Sequence, residues 1–261
     1  MSGLELRELH TMEEFDTASR LFADLWGTAP AGSPAPAQLM RALSHAGNYV
    51  AGAYENGRLA GASVAFHGEP TGTTLHSHIT GASVGRGIGL ALKLHQRQWA
   101  LARGLKRITW TYDPLIRRNA YFNLVKLGAR PEEYLQSFYG AMDDAINGGD
   151  DSDRVLAAWD LTAPARAPER YGASRPSPAD AAYGVRNHGG RPETGPTDAD
   201  IVLIDLPDDI ETLRRTDPAA ARAWRLAVRH TLRGLLAEGA RVTGFHDRRT
   251  YVCRRTPTPV D

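Results

Sequence analysis

Gly81-Ala82-Ser83-Val84-Gly85-Arg86-Gly87-Ile88-Gly89 leaves an apolar strand at 75–80 and opens a helix that runs from about 89 to 103. Glycines at Gly85, Gly87 and Gly89 let the backbone turn sharply and aim several N–H groups at one point. The helix start adds partial positive charge there, and the two together make a pyrophosphate site. A tight structural turn is the plain alternative. A dinucleotide fingerprint is a third, but it needs a first strand near the amino terminus and an acidic residue about 20 positions on. Here several antiparallel-type strands come first, and the next strand carries Thr109, Trp110 and Thr111, so the dinucleotide reading is disfavoured.

Working outward, Leu4, Leu6 and Leu9 sit around polar Glu5, Arg7 and Glu8 as a first strand. Thr11 and Glu14 then form a capping box ahead of a helix with Phe15, Ala18, Phe22 and Leu25 on one side. Residues 27–36 read as a loop and 38–45 as a second helix. Strands at 49–54 and 59–67 flank Asn56-Gly57, a hairpin signal. Beyond the glycine corner come a strand at 107–112, a helix at 119–127, and strands at 135–140 and 154–161.

That order resembles the GNAT superfamily of acyl-CoA N-acyltransferases over residues 4–161. Gly85-Arg86-Gly87-Ile88-Gly89-Leu90-Ala91-Leu92 is similar to its pyrophosphate loop, and Arg118–Ala129 to its Asn-containing helix. Thr109–Leu115, Phe138-Tyr139-Gly140, Ser152-Asp153-Arg154 and the block from Ala223 to Gly239 resemble a little-described bacterial branch. The resemblance implies an α+β fold: a twisted, mostly antiparallel mixed sheet flanked by helices. It implies an enzyme that moves an acyl group, acetyl or succinyl, from acyl-CoA to a small amine such as an amino acid, by direct attack on the thioester. Gly85, Arg86, Gly87, Ile88, Gly89 and Asn119 would contact the CoA. Two positions depart from the pattern. Val84 stands where an Arg or Gln usually opens the loop, and Leu124 where many members place the Tyr that protonates the departing thiolate.

Attack by an amine needs a base, and His76 and His78 share one face of the strand before the corner. His78 is nearer the corner and is the assigned base; His76, Asp113 and Arg154 are candidate contacts to the acceptor, the last through its bidentate fork. Tyr121 and Tyr139 are the hydroxyls nearest in sequence to the lost tyrosine. For each there is a plain alternative: hydrogen-bonded histidines, a turn aspartate before Pro114, aromatic packing. His95 reads as a core histidine. Leu90, Leu94 and Leu101 give its helix a second apolar stripe, whose contact would be the extension or another subunit, a homodimer.

Residues 162–199, with six prolines and no apolar periodicity, read as a linker or surface loop. Residues 200–261 then read as a β-α-β-β extension, with Asp217-Pro218 opening a helix whose stripe is Ala221, Trp224, Val228, Leu232 and Leu235. It is small enough to need burial against residues 1–161 or a partner. Among 261 residues, Lys+Arg number 31 and Asp+Glu 30, a net charge of +1 that offers a polyanion no long-range attraction. The single cysteine, Cys253, fits a reducing compartment, no apolar run is of membrane-spanning length, and no metal set is apparent. The expectation is a cytoplasmic enzyme without metal, nucleic acid or membrane partner. Its rivals are a GNAT-fold binding protein that has lost transfer, or another transferase or lyase using the same cleft.

Overall fold

Thr11 accepts the Glu14 N–H while the Glu14 carboxylate takes the Thr11 N–H, and this reciprocal pair starts the first helix, α1 (Met12–Trp26). Gly27, at φ 65°, ends it in the left-handed conformation. The structure is a computed structural model and describes residues 3–29, 32–83, 85–140, 149–163 and 181–255. Contacts divide the chain into two compact units. One runs to Trp110 and takes in Asp160–Thr162; the other holds Thr111 onward apart from that segment and 144–146.

In the first unit, β1 (Leu4–Glu8), β2 (Tyr49–Glu55), β3 (Arg58–Gly68), β4 (Thr74–Ala82) and β5 (Arg107–Tyr112) lie in sequence order. All pair antiparallel except β4 with β5, which run parallel. Asn56 (φ 49°) and Gly57 (φ 74°) make the expected tight turn between β2 and β3. On one face, Phe15, Ala18 and Phe22 of α1 and Met40 of α2 (Ala37–His45) close over Val50, Val64 and Ile79. On the other, Ile88 and Leu92 of α3 (Ile88–Ala102) pack on the sheet. The approach is close because Gly61 lacks a side chain: a Cβ there would meet Ile88 Cγ2 at 2.8 Å. On the second apolar stripe of α3, Leu90 is half-buried while Leu94 and Leu101 are exposed in the single chain.

The second unit contains α4 (Arg117–Tyr121), which continues as a π-helical turn (Phe122–Lys126), and the antiparallel pair β6 (Arg130–Leu135) and β7 (Arg154–Asp160). The strand expected at 135–140 is instead β6, five residues earlier, and 136–139 form a turn. Pro131 and the charged Glu132 and Glu133 hid it from an apolar pattern. A second sheet is ordered β11 (Arg241–His246), β12 (Thr250–Arg254), β10 (Ile201–Asp205), β8 (Ala181–His188), β9 (Arg191–Thr194).

The stretch 162–199 therefore holds two strands where a loop was expected. β8 pairs parallel with β10, and β9, with its Pro192, sits at the sheet edge where a missing N–H is harmless. The extension adds these strands and α5 (Ile210–Thr216) to the expected elements, and α6 (Pro218–Ala237) packs against β6, β8, β9 and β10. Nor does the chain divide at 161: residues 111–159, apart from 144–146, belong to the same unit as the extension.

Candidate active site

In the first unit the site is organised by β4. Its register with β3 slips between Val64 and Ala65, which pair with Ile79 and Ser77, so His78 is the extra residue of a bulge. His76 and His78 nonetheless face one way: both rings lie against Phe66, with centroids 5.3 and 6.0 Å away. His76 Nδ1 lies 3.0 Å from Thr109 Oγ1 on β5. Burial, with smaller pushes from His78 and Lys93, brings its pKa down to about 4, so at neutral pH its ring is uncharged. His78 is half-buried, with Nε2 3.4 Å from the Pro34 carbonyl oxygen.

β4 and β5 pair only over Thr74–His76 and Arg107–Thr109. Ser77 and Trp110 are the first residues past the last pair. After β4 the chain reaches the glycine corner. Gly85 (φ 86°) and Gly87 (φ 75°) occupy the left-handed region, and Gly87 is the N-cap of α3. Above Gly85, Gly87 and Gly89 a Cβ would meet nothing within 4 Å, so the space over the first turn of the helix is open. The first N–H groups of any helix lack intrahelical partners. The corner thus presents donors and partial positive charge to that space. Arg86 is exposed there and paired with Glu55 at 2.8 Å. Val84 lies outside the described residues.

The same helix carries a lysine that the sequence analysis passed over. Lys93 is fully buried, its Nζ donating to Ser77 Oγ at 2.7 Å and Gln96 Oε1 at 3.3 Å, and lying 4.1 Å from the Trp110 ring centroid. Gln96 continues to Ser63 Oγ, and Ser63 to Thr80 Oγ1. Burial lowers the Lys93 pKa to about 7. A signal was available in the sequence: this chain has 28 arginines and only three lysines. His95, half-buried, hydrogen-bonds to the Tyr49 hydroxyl at 2.8 Å.

The other expected site residues lie in the second unit. Asp113 requires a correction: instead of facing a substrate it is buried between Arg214 and Arg225, at 2.5 Å and at 2.9 and 3.0 Å. Burial opposes its charge, but Arg225 and Arg214 outweigh it and hold the carboxyl well below the usual carboxylate range. Asp150 shares both arginines. Arg154 is buried too, Nη1 donating to the Asp153 carbonyl at 2.9 Å and the guanidinium lying over Tyr139, so its fork is not offered at a surface. The Tyr139 hydroxyl is 3.2 Å from Thr111 Oγ1. Tyr121 has Arg248 over its ring and lines a cleft of about 380 Å³ with Arg117, Arg118, Asp208 and Glu211. Asn119 is half-buried on α4, and Leu124 is fully buried. Among the described residues there is no cluster of His, Cys, Asp or Glu that could hold a metal, and no helix long and apolar enough to cross a membrane.

No model of a protein family matches the sequence, and no curated protein does. Solved structures do. yncA from Salmonella typhimurium, determined with its cofactor acetyl-CoA, matches with a TM-score of 0.51 at 15% identity, over 63% of this chain and 98% of that one. An N-acetyltransferase from Staphylococcus aureus Mu50 matches with a TM-score of 0.50 at 16% identity, over 62% and 100%. The chain is built on the GNAT acetyltransferase fold. More than a third of it has no counterpart in either structure.

Proposed function

We propose that this protein is an acyl-CoA-dependent N-acyltransferase acting on a small amine, an amino acid or related metabolite, with acetyl-CoA or succinyl-CoA as donor. The observation that carries the reading is the corner itself: two left-handed glycines at the start of a 15-residue helix, under open space. The pyrophosphate would sit on the N–H groups of Gly85–Gly89, beside Arg86. His78, on the bulge, takes the proton of the acceptor ammonium, directly or through water. The amine attacks the thioester directly, since Cys253 is buried on β12 with its thiol pKa pushed up to about 12.

Calorimetric titration with CoA tests this. Binding to the natural chain is expected. Gly87→Val should weaken it by roughly tenfold, because a β-branched side chain resists the left-handed conformation by about 1–2 kcal/mol. Absence of CoA binding to the natural chain, or affinity unchanged by the substitution, removes the assignment. The buried, proton-less Leu124 favours a second reading, a CoA-binding protein without transfer; binding without turnover of acetyl-CoA would select it.

A further inference from the structure

We propose that Lys93 is the acid that protonates the departing CoA thiolate. The inference rests on the preceding reading of the glycine corner. If the pyrophosphate lies over the start of α3, the next inward-facing turn, about 6 Å along the axis from Gly89, carries Lys93. Its amine lies between Ser77 and Trp110, the first residues past the last β4–β5 pair, where the two strands cease to share hydrogen bonds. No carboxylate pairs with it among the described residues. A buried ammonium without a counter-ion is complementary to negative charge that develops only in the reaction.

Lysine differs from the 28 arginines of the chain in being able to give up its proton. With its pKa near 7, the Lys93 ammonium is a stronger acid than an alkyl thiol, so transfer to the thiolate runs downhill. The facing elements offer few competing charges. Among the described residues, His76 of β4 feels the charge of Lys93, and His78 in turn that of His76; Ser77, Gln96, Ser63 and Trp110 are neutral.

The neutral acceptor amine forms a bond to the thioester carbon, the carbon–sulfur bond breaks with its electron pair going to sulfur, and the amide nitrogen releases one proton to the base. The Lys93 ammonium passes a proton to sulfur, giving CoA thiol and a neutral amine, which regains its proton from solvent. Leu124, where the related enzymes would place a tyrosine, then needs no replacement on its own helix.

Two measurements on the full chain test this. Bromoacetyl-CoA carries an electrophilic carbon beside the thioester, and it should alkylate Lys93 Nζ with loss of bromide, in a reaction that excess CoA prevents. Peptide mass spectrometry reads the site, with Lys106 and Lys126, the other two lysines, as internal controls. CoA-protected labelling that falls on His78 or Tyr139 and spares Lys93, or no labelling of Lys93, overturns the proposal, and this arm needs no variant to fold.

The second measurement is CoA release from acetyl-CoA with hydroxylamine as acceptor. Lys93→Met should lower kcat at least tenfold with little change in KM for acetyl-CoA. It should also abolish the fall in the natural chain's rate as pH rises from about 6 to about 8, where the acid loses its proton. Lys93→Arg, charged but unable to release a proton, should stay as slow as Lys93→Met. Equal rates in the natural chain and Lys93→Met, full recovery with Arg, or no turnover by the natural chain would each sink the acid role. CoA titration separates the causes: if CoA binds and these results fail, this inference alone falls; if CoA does not bind, the functional reading falls with it.

Discussion

At Glu14 three contacts converge on one carboxylate. The N–H groups of His10 and Thr11 reach Oε2 at 2.8 and 2.9 Å, and Arg7 donates to Oε1. Burial works against the charge, but those two N–H groups, with Arg7 behind them, outweigh it and bring the carboxyl to about 2. A depressed native pKa means stability that is present above the unfolded value near 4.5 and is lost as pH falls toward 2. Glu14→Gln should therefore cost about 1 kcal/mol at pH 7, the usual worth of a cap, and the two proteins should converge by about pH 2. Urea unfolding at several pH values reads this; a constant difference across that range would refute it. The capping box was legible in the sequence because its signal spans four residues, Thr11 to Glu14. Asp113 was not: Leu115 N–H caps it locally, but its two arginine partners are more than 100 residues away, and nothing beside it separates an ion-pair member from a substrate anchor.

α6 shows what an element conveys by itself and what it does not. Its stripe of Ala221, Trp224, Val228, Leu232 and Leu235 is buried to 2% exposure or less, as the 3.6-residue period implied. Trp224 also donates Nε1–H to the Gly190 carbonyl at 3.0 Å, in the turn between β8 and β9. Trp224→Ala should cost about 3–5 kcal/mol, read by denaturant unfolding, and a loss under about 1 kcal/mol would show the stripe not to be core. The strands it meets were not legible. β8 and β9 are half-exposed, β9 is short, and their surroundings are rich in proline, so no alternation marks them. On α3 the period marks a stripe that the single chain leaves open: Leu94 and Leu101 are exposed.

Across the whole molecule, the consequential feature is where the chain divides. The second unit joins residues 111–159 (apart from 144–146) to the extension through buried charge: Arg214 and Arg225 on Asp113 and Asp150, and Arg229 on Asp151 and Asp153. Tyr134 donates to Asp153 at 2.6 Å in the same network. Removing one partner of a buried pair leaves a charge desolvated, so Arg225→Met should cost about 3–5 kcal/mol. A fragment ending at Leu161 loses all three arginines and keeps the aspartates. It should fail to fold, seen as loss of a cooperative thermal transition by circular dichroism. A soluble fragment as stable as the full chain would show the extension to be dispensable.

The sequence by itself determined the order of strands and helices up to the glycine corner and α3, the caps, the hairpin turn and the inward face of α6. Each of these is written within a few residues, where backbone sterics and side-chain periodicity act. Only the tertiary structure decided that Asp113 is consumed by two arginines, that residues 111–159 (apart from 144–146) belong with the extension, and that Lys93 is buried where β4 and β5 stop pairing. Charge pairing and burial depend on which segments meet in space, and residues a hundred positions apart carry no local mark of meeting.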